Sequence, residues 1–73
     1  METEIRIRVS GLRDEEQAHR AEAVLHSKVG IREVEADAEA GTLRLLYDSS
    51  RVSQPRLQAY LKDAGVRALR EGD

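Results

Sequence analysis

From Thr3 to Ser10 apolar and polar residues alternate. Ile5, Ile7 and Val9 fall on one side, and Glu4, Arg6 and Arg8 on the other. Alternation of this kind marks a strand with one face in a core and the other in water. Gly11 closes the strand, and the period then changes. Between Asp14 and Lys28 the apolar positions are Ala18, Ala21 and Leu25, with Val24 beside them, which is the spacing of one helix face. Asp14 is a suitable N-cap, Gln17 three residues later predicts a capping box, and Gly30 predicts the helix stop.

Alternation returns from Ile31 to Asp37, with Val34 and Ala36 inward and Glu33 and Glu35 outward. Ala38-Glu39-Ala40-Gly41 reads as a hairpin connection containing glycine. Thr42 to Tyr47 is the third strand, with Leu43, Leu45 and Tyr47 inward and Arg44 and Leu46 outward. After the polar loop Asp48–Arg51, Ser53 caps a second helix with Pro55 in its first turn. Val52, just before the cap, is placed to staple onto Leu57. Leu57, Tyr60, Leu61 and Ala64 hold the i, i+3, i+4, i+7 spacing, and Gly65 stops the helix. A short strand is expected over Val66–Leu69, then a tail over Arg70–Asp73. Strand, helix, strand, strand, helix, strand is two split βαβ units. Their expected product is an α+β, ferredoxin-like βαββαβ sandwich, with a four-stranded antiparallel sheet and two helices on one face.

Length and composition narrow the picture. Seventy-three residues predict one domain over 1–73, ordered from about 3 to 69. The formal net charge of −2 argues against a nucleic-acid partner, which calls for a basic stripe. No apolar run approaches the roughly 18 residues of a membrane span, and the acidic start Met1-Glu2-Thr3-Glu4 lacks the layout of a signal peptide, so a cytoplasmic protein is expected. With no cysteine in the chain there is neither a disulfide nor a thiolate metal ligand.

Several short motifs, in order, resemble those of one family. Gly11-Leu12 lies in the position of a Gly-Met pair, and Val29-Gly30-Ile31 in that of Pro-Gly-Val. Val34-Glu35-Ala36-Asp37 and Gly41-Thr42-Leu43-Arg44-Leu45 resemble Val-x-Val-Asp and Gly-Thr-Val-x-Val. Tyr47-Asp48 followed by Val52-Ser53 resembles the opening of the second helix, and Ala64-Gly65 precedes the last strand. Together these resemble the heavy-metal-associated domain, found in copper chaperones and in the N-terminal modules of metal-pumping ATPases. The likeness runs from about Thr3 to Leu69. It implies a metal loop of Met-x-Cys-x-x-Cys form, in which Leu12 takes the methionine position and Asp14 and Gln17 take those of the cysteines. Val66 stands where bacterial chaperones often carry a tyrosine. Soft ions such as Cu(I) are held by thiolates, so the resemblance predicts this fold with its thiolate site lost.

The candidate chemistry is therefore modest. Asp14 and Gln17 suit a helix cap better than an ion site, since only one of them is anionic, and Glu15 and Glu16 add charge that favours the same helix end. Glu15 with His19, and Glu22 with His26, are spaced i, i+4 and offer two ligands each. His19 and His26 are themselves about 10 Å apart along a helix, too far to share one ion. Asp14, Glu15 and His19 remain a weak candidate set for a harder ion. On the open sheet face Arg6, Arg8, Arg44, Glu33 and Glu35 are expected, with the third strand between the first two. Separate positive and negative strips there would select a protein partner. No outward aromatic suits RNA stacking.

Enzyme motifs are missing: there is no cysteine nucleophile, no glycine-rich phosphate loop, and no asparagine of the kind acylphosphatases of this fold use. The expectation is a non-enzymatic binding module without a cofactor. Its recognition loop would be Leu12, Arg13, Asp14 and Gln17, and its partner another protein, with a metal-transport component among the candidates. The chain is expected to be a monomer or a weak homodimer. The alternatives are weak handling of a harder ion, and a small-ligand sensor of the ACT type.

Overall fold

A computed structural model describes residues 1–69, so the tail expected at Arg70–Asp73 lies outside the described residues. The elements are β1 (Glu2–Ser10), α1 (Glu15–His26), β2 (Ile31–Asp37), β3 (Thr42–Asp48), α2 (Gln54–Asp63) and β4 (Arg67–Ala68). The sheet is antiparallel in the order β2-β3-β1-β4, with β3 between β1 and β2. This is the expected ferredoxin-like α+β sandwich.

Alternation along the strands aims Val9, Leu43, Leu45 and Tyr47 into one core, and the stripes Ala18–Ala21–Leu25 and Leu57–Tyr60–Leu61 cover it from the helices. Leu25, Leu43 and Leu45 have no exposed surface. Burying each leucine is worth about 1.5–3 kcal/mol against leaving it in water. Val52 and Leu57 are both buried, as a staple at the start of α2 requires. The burial alternates less sharply on β1, where Ile5 and Ile7 are only partly covered.

Both handovers from helix to strand differ from the sequence pattern, each for a local reason. The first helix ends at His26 rather than Lys28, because the Ser27 hydroxyl donates to Val24 O at 2.6 Å and the chain turns there. Gly30 is then not the helix stop but the positive-φ residue that turns the chain into β2, against the Val52 side chain. The last strand is two residues rather than four. Val66 N–H is taken by Leu61 O at 3.0 Å and Gly65 N–H by Lys62 O at 3.0 Å, with Gly65 at φ 79°. These are the two bonds of a Schellman cap, so Val66 belongs to the end of α2 and the ladder starts at Arg67.

The far end of the sheet is fastened by Asp48. Its Oδ1 accepts from the terminal ammonium at 2.8 Å and from the Ser50 hydroxyl at 2.6 Å, which holds its carboxyl well below the ordinary carboxylate value.

Candidate functional site

The loop between β1 and α1 is built from its two ends inward. Gly11 takes φ 104°, where a Cβ would meet Gly65 O at 2.5 Å, so the loop passes close over the turn before β4. Leu12 then drops into the core, 9 % exposed. It anchors the loop from beneath, and its side chain adds little to an outward contact surface. Arg13 and Asp14 are exposed and Gln17 is half-buried.

Asp14 is the N-cap of α1: its Oδ1 accepts from Gln17 N–H at 2.9 Å. Gln17 answers with Oε1, which accepts from Arg13 N–H at 2.8 Å. A capping box proper would return to the N–H of Asp14 itself. Here the return bond lands one residue earlier, which ties Arg13 into the loop as well. Glu15 and Glu16 occupy the first turn, beside the partial positive charge of the helix end.

These groups do not fit a soft ion. An oxygen and an amide stand where two thiolates would be needed, and both oxygens accept backbone hydrogen bonds. Nor does the harder-ion set converge. His19 Nε2 lies 3.9 Å from Glu15 Oε2 and His19 Nδ1 lies 4.0 Å from Glu22 Oε1, while Asp14 faces its own helix. Among the described residues no three His, Asp or Glu groups gather closely enough to hold a metal ion.

Glu22 also departs from the sequence expectation. In place of a pair with His26, its Oε2 accepts from Ala36 N–H at 2.8 Å, on the outer edge of β2. No local spacing signals this bond, because it spans 14 residues and exists only once α1 lies beside β2. Glu15, His19, Glu22, Glu35 and Asp37 line the resulting cleft of about 340 Å³.

On the open face the predicted residues do come together, but not as separate strips. Arg44 stands directly between Arg6 on β1 and Glu35 on β2. Its guanidinium lies 3.5 Å from Glu33, 3.7 Å from Glu35 and 3.5 Å from Glu4. Glu4 comes from the β1 side, so Arg44 is surrounded by carboxylates and adds no free positive charge. Such exposed pairs are worth about 0–1 kcal/mol each. Leu46, expected outward and exposed, is half-buried between its cross-strand partners Glu4 and Glu33. Arg6 and Arg8 form no ion pair among the described residues. What remains of a positive strip is therefore Arg6 and Arg8 alone.

Neither a protein-family model nor a curated relative matches the sequence. Solved structures do match in shape. The CopZ metallochaperone superposes with a TM-score of 0.80 at 19% identity, over 92% of this chain and 100% of that one. A copper form of CopA from Bacillus subtilis gives 0.81 at 23% identity, covering 100% of this chain and 96% of its own. Oxidized MerP from Ralstonia metallidurans gives 0.83 at 15% identity, covering 97% and 99%. The chain has the fold of the heavy-metal-associated domains. At these identities the likeness is one of architecture. No described helix is long and apolar enough to cross a membrane.

Proposed function

We propose that this chain is a non-enzymatic binding module on a metallochaperone-like scaffold, cytoplasmic in location, whose thiolate site has given way to a helix cap and which acts through protein contact. The reading rests first on the reciprocal use of Asp14 and Gln17: Asp14 Oδ1 closes the Gln17 N–H at the start of α1 and Gln17 Oε1 holds the Arg13 N–H, so both side chains serve the helix start. Arg13 is the outward contact of that loop, held by the Gln17 bond, and Leu12 serves as its buried anchor. Arg6 and Arg8 extend the contact surface over the sheet. Arg44, Glu33 and Glu35 form a neutralised patch beside them. Electrostatic surfaces of this kind select a partner and speed encounter more than they add affinity.

The test has two arms. Titration with Cu(I), Zn(II) and Ni(II) is expected to show no submicromolar binding. Submicromolar binding abolished by His19→Ala would overturn the reading in favour of a harder-ion site. The double change Asp14→Cys with Gln17→Cys should create a Cu(I) site, because the loop then regains its sulfur pair. A folded double variant without Cu(I) affinity would mean that the loop is not placed as argued. For the contact itself, a photo-crosslinker at Arg13 should give a discrete adduct in cells, lost with Arg6→Glu and Arg8→Glu together. An adduct indifferent to those changes would sink the proposed surface.

A further inference from the structure

The two edges of the sheet are finished differently: at β2 a carboxylate binds an outward N–H, and at β4, where Val66 N–H is bound by Leu61 O, the outward N–H that remains is that of Ala68. At the β2 edge the outward N–H of Ala36 is already bound by Glu22, and Glu15, Glu35 and Asp37 crowd the adjoining cleft. Inward-pointing charge and cover by a helix are among the protections of an exposed edge. At the opposite edge β4 pairs with β1 through Val9↔Ala68 and Ser10↔Arg67, and among the described residues no strand lies beyond it. Beside it runs a groove of about 460 Å³ between α2 and β4. Its floor is apolar, from Ala59, Leu61, Val66 and Ala68; Lys62 is the cation on its helix side, and Arg67 borders it from β4, where the register with Ser10 puts it on the open face. Neither cation forms an ion pair among the described residues, in contrast to Lys28, which pairs with Asp63 at 2.9 Å.

We infer that the β4 edge is a docking site for an extended peptide segment in which acidic and apolar residues alternate, added to the sheet as a fifth strand. A strand laid against β4 points successive side chains to opposite faces. On the helix side they meet the apolar groove. On the open side they meet Arg67, which shares its face with Ser10 and so with Arg8 two residues away. Apolar side chains suit the first set and carboxylates the second, with Lys62 as a further cation on the groove side. Main-chain bonds then supply affinity and the alternate side chains supply specificity, as in strand-addition recognition generally.

A second copy of this chain is the poorer occupant on both available routes. Its β2 edge, though acidic, has the Ala36 N–H already bound. Its β4 edge would bring two Lys62–Arg67 pairs together, like charge against like. The inference goes beyond the proposed function and shares only Arg8 with it, since Arg13, Arg6 and Arg44 are not among the residues that line the groove. Its failure leaves that reading standing.

The experiment uses the full chain labelled with nitrogen-15 and two blocked synthetic peptides, Glu-Val-Glu-Val-Glu-Val and Lys-Val-Lys-Val-Lys-Val. The acidic peptide should shift the amide signals of Leu61 and of Val66 to Leu69 at a Kd of roughly 0.1 mM. Lys62→Glu with Arg67→Glu should weaken it by about tenfold or more, with the circular dichroism spectrum unchanged. If that double variant is unfolded, raising the salt concentration on the native chain serves instead and should weaken binding in the same way. Equal binding of the lysine peptide, shifts centred on β2, or no shift at millimolar peptide would each overturn the inference. So would concentration-dependent self-association through β4, measured by translational diffusion, since the occupant would then be a second copy.

Discussion

At one edge of the sheet β2 runs seven residues, is covered by α1, and has a carboxylate bound to its outer backbone. At the other, β4 pairs over two residues, and a groove lies open between it and α2. Both edges belong to the same split βαβ plan, and their two helices bury similar stripes. The difference comes from how each helix hands over to the strand after it. The first helix ends at His26, and four residues pass before β2 starts, with Gly30 making the turn. The second ends in a Schellman cap at Gly65 and Val66, and β4 starts only at Arg67. A repeat can thus keep its architecture while the handover from helix to strand decides how far its edge strand runs.

The comparison breaks hardest at Gly11, where the two halves meet. An alanine there needs a positive φ and places its Cβ 2.5 Å from the backbone oxygen of Gly65. Gly11→Ala is expected to cost about 3 kcal/mol, backbone strain and overpacking together. Chemical denaturation measures the loss, and amide exchange should locate it at β4 and the end of α2 before β2. A uniform loss across the sheet would mean that the two edges are not separable units.

A milder change acts on the sealed edge. Glu22→Ala leaves Ala36 N–H without its acceptor, at a cost of about 1 kcal/mol, the low end for a lost partner, because water can reach this edge. The Ala36 amide should exchange faster, while Glu22→Gln, whose amide oxygen still accepts, should restore most of its protection. Unchanged exchange in Glu22→Ala would remove the argument that β2 is closed.

The smallest expected effect separates the two helix starts. Asp14→Ala should cost about 1 kcal/mol, and Ser53→Ala less. Asp14 holds its N–H at 2.9 Å with Gln17 returning a bond, whereas Ser53 accepts from Arg56 N–H at 3.3 Å with none returned. Urea midpoints of the two variants give the order directly, and equal losses would show that the reciprocal bond adds nothing.

Much of the fold was legible because its signals are local. Alternation at Ile5–Ile7–Val9 and Leu43–Leu45–Tyr47 fixes strand faces, and 3.6-residue spacing at Leu57–Tyr60–Leu61 fixes a helix face. The caps at Asp14 and Ser53 were legible for the same reason, since cap and partner lie three residues apart. The candidate site was legible only in part. Residue identity placed Asp14 and Gln17 in the loop and Arg44 among charges. It did not show that Leu12 would be buried, that Gln17 would bond to Arg13, or that Glu4 would join Glu33 and Glu35 around Arg44.

By itself, then, the sequence determined the order and faces of the elements, the caps that start both helices, and the lack of sulfur in the loop. Each of these depends on residue type and on spacings of a few residues. Tertiary structure alone decided the bond from Ala36 to Glu22, the groove beside β4, and the neutralisation of Arg44. Those depend on residues far apart in the chain being brought within hydrogen-bond or ion-pair reach. Distances of that kind are set by how two helices pack on one sheet, and no local period encodes them.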